Sequence, residues 1–311
     1  MTSAVAEGIA SDRVREEGCR IGPGCRCGVV RSWAVLPKWG GVVHSLLVYA
    51  SPRREQSAVA LWIAEALGRG EKVLYKHAPA EDAAAVLGRS LPEVGLDAAV
   101  LSSGRVELVD TTVLKAASGG RHERLYELHL ESARQAAREG FTGLALTGNA
   151  AAMRSITRNQ IELSGYERDL DQLAHEFDVP SLCRYPAEEQ PELLGDMLEV
   201  HFRDVDDEHW AAAVVGDRLR VRGELDVSNA DRFAAVLRAV LAGGLHTVDL
   251  SEVEFCAVAG IRALVTATDQ TDRGPAVLTL EGVPAVLARL LRLTGAADLP
   301  NLQLNEREHQ P

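Results

Sequence analysis

Three of the five cysteines lie close together near the start of the chain, where they could bind a metal ion. Cys19, Cys25 and Cys27 follow the pattern C-x5-C-x-C. A structural zinc site usually needs four ligands, commonly from C-x2-C pairs, and no fourth cysteine or paired histidine follows at a suitable spacing. The segment 1–38 also lacks a hydrophobic period. We therefore predict a disordered leader over residues 1–38 and no metal site, with binding through these three cysteines as the alternative.

Histidines and carboxylates show no spacing typical of catalysis. His122 and His129 are seven residues apart on one predicted helix, which favours an exposed pair with no further ligand. No Ser/His/Asp set and no pair of carboxylates occurs at a recognisable catalytic spacing. We predict that the chain is not an enzyme and has neither catalytic residues nor a cofactor.

The segment from Ala50 to Ser57 lies between a predicted strand and a predicted helix, where P-loop proteins carry their phosphate-binding loop. That loop needs the pattern G-x4-G-K-[ST], because glycine amides cradle the phosphates and the lysine meets their charge. The segment contains neither glycine nor lysine. We expect Arg53 and Arg54 to be solvated, with attraction of an anion to the helix start as the alternative. Asp110 ends a predicted strand as a magnesium-binding aspartate would, but it has no phosphate loop to work with.

Length and charge narrow the classes of protein further. The chain has 311 residues and a formal net charge of −12, which favours two domains and argues against nucleic acid as the main partner. No segment approaches the roughly 18 consecutive apolar residues that span a bilayer. The first residues do not read as a signal peptide. We expect a cytoplasmic protein that binds neither nucleic acid nor membrane.

Strands and helices alternate over the first two thirds of the chain. Residues 45–49 and 72–76 read as buried strands, and the helix between them has one apolar face. The alternation continues to residue 200, which indicates a parallel sheet covered on both faces. The acidic stretch 203–208 breaks this pattern. We place the domain boundary there and assign residues 39–205 to the first domain.

The second domain, residues 209–305, has a different pattern and is followed by a tail at 306–311. It begins with a predicted hairpin, 210–215 and 218–221. Further predicted strands are 247–250 and 276–280, and the predicted helices are 229–242, 260–268 and 284–293.

Three ordered motifs of the second domain resemble the STAS domain, and in particular bacterial anti-sigma-factor antagonists. They are Gly223-Glu-Leu-Asp226, Val248-Asp-Leu-Ser-Glu-Val-Glu-Phe255 and Ala259-Gly-Ile-Arg-Ala-Leu264. The resemblance implies a mixed sheet with helices on one side. It also implies that the domain binds a partner, an anti-sigma factor of the serine-kinase type, rather than catalysing a reaction.

In those antagonists a strand ending in Phe is followed by Asp-Ser-Ser-Gly at a helix start, and one serine is phosphorylated, which blocks the partner. Here Val258 and Ala259 take the serine positions and Ala257 the acidic one, so no hydroxyl remains. The resemblance places the partner-binding loop at Asp226, Cys256, Ala257, Val258, Ala259 and Gly260. Two interpretations stay open: a loop that simply packs within a binding or dimerising module, or an antagonist that is permanently unphosphorylated. We predict that Cys256 is a buried small hydrophobe.

Short motifs of the first domain resemble the MEDS domain, the methanogen/methylotroph sensory domain. They are His44-Ser-Leu-Leu-Val-Tyr49, Gly70-Glu-Lys-Val-Leu-Tyr75, Tyr166-Glu167 and Leu182-Cys-Arg-Tyr185. The resemblance implies a degenerate RecA/KaiC-like fold that senses a small, hydrocarbon-like ligand. The residues expected to face a sensory crevice at the strand ends are His44, Tyr49, Tyr166, Glu167, Cys183 and Tyr185.

The sequence as a whole predicts an α/β signalling protein in which a sensor domain is coupled to a partner-binding module. Its expected ligands are an unknown small molecule on the sensor and an anti-sigma factor on the STAS domain. Two alternatives remain: a KaiC-like protein that binds or hydrolyses nucleotides, and a non-catalytic dimerisation module. A homo-oligomer is compatible with all three.

Overall fold

The computed structural model describes residues 44–269 and 276–306. The predicted leader, with Cys19, Cys25 and Cys27, lies outside these residues, as does most of the predicted tail. Within them, no helix is both long enough and apolar enough to cross a membrane.

Most of the predicted strands and helices are present in the described residues, but the strands at 204–206 and 302–306 and the helices at 111–118 and 150–156 were not predicted. The strands are β1 (His44–Tyr49), β2 (Lys72–His77), β3 (Val106–Asp110), β4 (Leu144–Asn149), β5 (Ser181–Pro186), β6 (Asp204–Asp206), β7 (Trp210–Val215), β8 (Arg218–Leu225), β9 (Thr247–Cys256), β10 (Leu278–Val283) and β11 (Leu302–Glu306). The α-helices are α1 (Pro52–Gly68), α2 (Ala83–Ser90), α3 (Thr111–Ser118), α4 (His122–Arg138), α5 (Ala150–Ile156), α6 (Gln160–Phe177), α7 (Pro191–Val200), α8 (Ala230–Ala242), α9 (Val258–Asp269) and α10 (Ala285–Leu293).

All eleven of these strands join one continuous sheet, in the order β11-β10-β9-β8-β7-β6-β1-β5-β4-β2-β3. Neighbouring strands are parallel except around β7, which runs antiparallel to both β6 and β8. The predicted α/β class, with a mostly parallel sheet and a mixed part in the second domain, is confirmed. The two predicted domains therefore share a backbone hydrogen-bond ladder.

The acidic stretch 203–208 was predicted to break the pattern of elements, and that prediction was wrong. Its centre forms β6, which pairs parallel to β1 and antiparallel to β7. Val205 is buried while Asp204 and Asp206 on either side are half-buried, the alternation of a strand with one apolar face. A strand of three residues is too short for its alternation of buried and exposed side chains to be recognised in the sequence. The boundaries of the two domains remain a prediction.

One apolar core runs under both domains on one face of the sheet. It extends from Leu46 in β1 through Leu198 in α7 and Phe233 in α8 to Leu302 in β11. A second core lies beneath α1 and α2 on the other face. Because α7 packs against α8, the helix layers of the two domains also touch.

Helix α6 begins at Gln160, because the side chain of Asn159 caps it by accepting from the amide of Glu162. The helix predicted from Gly260 begins at Val258.

Candidate functional site

Four buried side chains from separate elements meet beneath β1 and β5. His44 begins β1 and Cys183 lies in β5, the neighbouring strand. Glu167 projects from the middle of α6, and His201 directly follows α7. All four are at most 1% exposed. We call these residues the His-Glu-Cys-His cluster.

The contacts within the His-Glu-Cys-His cluster are short. The Cys183 thiol donates to Glu167 Oε2 at 3.0 Å, and His44 Nε2 lies 3.3 Å from both the Cys183 sulfur and Glu167 Oε2. His201 Nε2 lies 3.6 Å from the same carboxylate oxygen, and its ring centroid is 3.9 Å from that of His44. One ligand atom from each residue thus falls within 4.8 Å of the other three.

The surroundings of the cluster fix the protonation of its members. The Met197 carbonyl accepts from His201 Nδ1 at 2.7 Å, so Nε2 carries a lone pair that finds no hydrogen-bond partner within the described ranges. Burial, followed by the charge of His44, lowers the pKa of His201 to about 3. Burial and the charge of Glu167 raise the pKa of the Cys183 thiol. The metal-free cluster therefore holds a thiol and a neutral His201 imidazole at neutral pH.

Glu167 is the charged member of the cluster. Burial pushes the pKa of its carboxyl upward, but the hydrogen bond from His44 and the charge of that ring outweigh burial and lower the pKa to about 2. Tyr185 donates its hydroxyl to Glu167 Oε1 at 2.7 Å. The carboxylate is therefore ionised, buried and held on both oxygens.

A second buried polar group adjoins this cluster. Tyr166 accepts from Lys76 Nζ at 2.8 Å, and His129 Nε2 lies 2.5 Å from the same hydroxyl. His129 was predicted to be exposed together with His122, and this was wrong: His129 is fully buried, whereas His122 is half-buried and lies 2.9 Å from Asp169. The apolar pattern of α4 places position 129 on the core face, which the paired-histidine interpretation overlooked.

The structure brings together five of the six residues predicted for a sensory pocket: His44, Tyr166, Glu167, Cys183 and Tyr185. Tyr49 lies apart from them. Side chains alternate along β1, so Tyr49 packs against the core under α1 on the opposite face of the sheet. His201 was missed, since a single histidine at a helix end carries no signal in the sequence.

A cavity of about 210 Å³ lies on the α1 face of the sheet. Its lining includes Glu55, Tyr75, Glu81, Asn149 and Arg184 but none of the six predicted pocket residues. Arg184 is 1% exposed, donates to Glu55 at 2.7 Å and has its guanidinium carbon 4.8 Å from the centroid of the Tyr75 ring.

The start of α1 binds protein groups rather than leaving a place for phosphate. The Ser51 hydroxyl accepts from the amide of Arg54 at 3.3 Å, and the Glu208 carboxylate accepts from the amide of Ala50 at 3.3 Å. Arg54 was expected to be solvated, which was wrong: it donates to Asp206 at 2.9 Å and to the Asp207 carbonyl at 3.2 Å. The structure leaves Arg53 exposed, as expected.

Asp110, weighed as a metal-binding residue, caps a helix instead. Its carboxylate accepts from the amide and the hydroxyl of Thr112, both at 2.7 Å, at the start of α3.

The predicted partner-binding loop lies where β8 and β9 end side by side. Leu225 is paired with Cys256, and the Leu225 carbonyl accepts from the amide of Ala257 at 2.8 Å. The Ala257 carbonyl then accepts the first bond of α9, from Ile261, so Ala257 occupies the cap position without a side-chain oxygen. Cys256 is buried, which confirms that part of the prediction.

Asp226 borders this loop, and both its side chain and its amide are hydrogen-bonded. Its carboxylate accepts from the amide and the hydroxyl of Ser228, at 2.8 and 2.6 Å, and these bonds lower the pKa of the carboxyl. Asn229 accepts from the Asp226 amide at 3.0 Å.

Three large apolar side chains are exposed around the same strand ends. Val227 is 82% exposed, Phe255 54% and Val258 63%. We call these residues, with the loop 256–260, the STAS end surface. Apolar side chains gathered next to one another on a surface commonly mark a site of protein contact.

Comparison with known families assigns both halves of the chain. The MEDS family (methanogen/methylotroph, DcmR sensory domain) matches residues 43–202, and a STAS family (Mlab, STAS domain) matches residues 210–303. No curated protein matches the chain significantly.

Two of the solved structures that match overlap different parts of the chain. An anti-sigma factor antagonist from Mycobacterium paratuberculosis has 22% identity and a TM-score of 0.24, with 30% of this chain and 81% of that chain covered. A DnaB-like replicative helicase has 14% identity and a TM-score of 0.28, with 48% of this chain and 40% of that chain covered. Similarity at this level leaves the function to be argued from other observations.

The MEDS match alone covers 160 of the 311 residues, from 43 to 202. The chain therefore belongs to the MEDS family, and its MEDS domain is followed by a STAS domain, as the sequence motifs predicted.

Proposed function

We propose that this chain is a cytoplasmic regulator whose STAS end surface binds an anti-sigma factor of the serine-kinase type, under the control of the MEDS domain. The observation that carries the proposal is the exposure of Val227, Phe255 and Val258 around the loop that resembles the contact loop of antagonists. Residues 256–260 offer no hydroxyl to phosphorylate. Control would then come from the sensory domain rather than from a kinase.

The acidic segment 204–208 supports coupling between the two domains. On the MEDS side, Ser45 donates to Asp204 at 2.5 Å and Arg54 to Asp206 at 2.9 Å. On the STAS side, Arg232 in α8 donates to both carboxylate oxygens of Asp207. A shift of β1 or α1 would therefore move groups that hold α8.

The cavity beside Arg184 is where we place the sensed ligand. Arg184 Nε and Nη2 are buried and have no hydrogen-bond partner within residues 44–269 and 276–306. Buried donors without partners are costly, and a ligand with oxygen acceptors would satisfy them. A small oxygenated molecule fits a cavity of about 210 Å³ lined by these groups.

A negative charge on the STAS end surface should weaken partner binding. Ala259→Glu and Val258→Glu each introduce a carboxylate into the first turn of α9, as a phosphate would, but with less charge. We expect at least a tenfold loss of affinity, about 1.4 kcal/mol, in titrations against the kinase-type anti-sigma factors of the source organism. The fold should survive, because an acid near a helix start is favourable by roughly 0.3–1 kcal/mol.

Val286→Glu is the matched control, since Val286 is 74% exposed on α10 rather than at this surface. Melting curves of all three variants separate binding from folding. If Ala259→Glu and Val258→Glu both bind the partner with unchanged affinity, the STAS end surface is not part of the interface.

We also expect no ATP hydrolysis above background by the full chain with Mg²⁺. The amides at the start of α1 already donate to Ser51 and Glu208, and Arg54 is already bound to Asp206 and to the Asp207 carbonyl. Phosphate release measured against buffer checks this. Turnover that disappears in Asp110→Asn would establish the enzyme alternative instead, because that substitution preserves the helix-cap acceptor.

A further inference from the structure

We propose that the His-Glu-Cys-His cluster binds one divalent transition-metal ion of the zinc class, through His44 Nε2, Glu167 Oε2, Cys183 Sγ and His201 Nε2. The sequence predicted no metal site, and neither family match assigns one. This proposal does not depend on which partner the STAS domain binds.

The separations of the donor atoms suit a tetrahedral ion. Zinc lies about 2.0–2.1 Å from nitrogen or oxygen and about 2.3 Å from sulfur, so its tetrahedral ligands lie about 3.3–3.6 Å apart. Four of the six distances between the Cys183 sulfur, Glu167 Oε2 and the two Nε2 atoms run from 3.0 to 3.6 Å, and all six are at most 4.8 Å. Binding of an ion would bring the remaining two separations into the tetrahedral range.

The donor types select the class of ion. Two imidazoles, a thiolate and a carboxylate are the mixture that zinc accepts, whereas magnesium and calcium require mostly oxygen ligands. On binding, Cys183 releases its thiol proton to solvent and forms the sulfur–metal bond, and His201 gives its existing lone pair. The proton that His44 Nε2 donates to Glu167 also leaves that nitrogen, and the His44 ring then carries its proton on Nδ1. The thiolate and the carboxylate then neutralise the charge of the divalent cation.

Outer groups already hold two of the four ligands, His201 and Glu167, as they are held in metal sites. The Met197 carbonyl fixes His201 Nδ1–H, which leaves Nε2 free and aimed into the cluster. Tyr185 holds the second oxygen of Glu167 and leaves Oε2 for the ion. A buried imidazole nitrogen without a partner is costly by itself, and a metal ion satisfies it.

The ion would join β1, β5, α6 and the residue that follows α7. Because all four ligands are at most 1% exposed, we expect loading to accompany folding rather than follow it.

The test uses the full chain produced in medium supplemented with Zn²⁺ and, in parallel, with Co²⁺. We expect one equivalent of metal per chain by elemental analysis. The cobalt form should show the visible bands of a four-coordinate ion and a thiolate-to-cobalt charge-transfer band. Cys183→Ala and His201→Gln should lose the metal, and Tyr185→Phe should weaken it by roughly 10–100-fold in chelator competition.

Cys256→Ala is the matched control, because Cys256 is also a buried free cysteine but lies in the STAS domain. It should keep the metal and the cobalt spectrum. A Cys19→Ser/Cys25→Ser/Cys27→Ser variant should keep both as well, which separates the cluster from the cysteines near the start. A wild-type chain purified without metal from both media would overturn the proposal, whether or not the variants fold. So would metal that is retained in Cys183→Ala and His201→Gln but lost in the triple variant.

Discussion

Gly223→Ala is expected to destabilise the protein by about 3 kcal/mol or more, since it combines a backbone strain of roughly 1–3 kcal/mol with a steric clash. Gly223 has a φ of +88° in β8, at a shift in the register with β9. A Cβ there would lie 2.3 Å from the His209 carbonyl oxygen and 3.1 Å from the Trp210 Cα. Both atoms belong to the backbone, so they cannot move away by a side-chain rotation. Relief would require β7 and β8 to separate where Trp210 packs edge-on against Phe233.

Gly216→Ala provides the matched control. Gly216 also has a positive φ, +64°, but a Cβ there would meet nothing within 4 Å. That variant should cost roughly 1 kcal/mol, the conformational strain alone. At roughly 2–4 °C per kcal/mol, Gly223→Ala should lower Tm by about 6–12 °C and Gly216→Ala by a few degrees. Equal losses in the two variants would show that the contact with His209 is not what makes glycine necessary.

Arg232→Met should cost about 3–5 kcal/mol, the usual effect of removing one partner from a buried ion pair. Arg232 Nε and Nη2 bind the two oxygens of Asp207 at 2.5 and 3.1 Å, and the Asp207 side chain is 0% exposed. The substitution keeps most of the apolar stem and leaves a buried carboxylate without its cation. Chemical denaturation followed by circular dichroism measures the loss in the free energy of unfolding.

Two further variants decide whether the charge is responsible. In Asp207→Asn/Arg232→Met the uncompensated charge is gone, and the amide oxygen can still accept from the amide of Glu208. We expect this double variant to recover most of the stability. Arg289→Met, an exposed arginine on α10, should change stability by less than about 0.5 kcal/mol. If Arg232→Met lowers the free energy of unfolding by no more than Arg289→Met does, the ion pair between Arg232 and Asp207 does not stabilise the protein.

Much of the architecture follows from local patterns in the sequence. The apolar period of residues 59–67 predicted α1, and the short apolar runs predicted β1, β2 and β5. Ordered motifs identified both families, and the domain order was confirmed. These features succeed because side-chain period and helix caps are properties of neighbouring residues.

The His-Glu-Cys-His cluster, and the strand β6 that joins the two domains, could be recognised only from the tertiary structure. His44, Glu167, Cys183 and His201 are spread over more than 150 residues, and periodicity shows which face a side chain takes but not which strands become neighbours. The strand order places β5 beside β1 and β6 on its other side, which brings the end of α7 beneath β1. The same order turns an acidic stretch that looked like a linker into a strand held by Arg54 and Arg232. The sequence by itself determined most of the elements, the two families and five residues of the cluster region. The packing of parallel strands, set by crossovers distant in the chain, decided which of those residues meet.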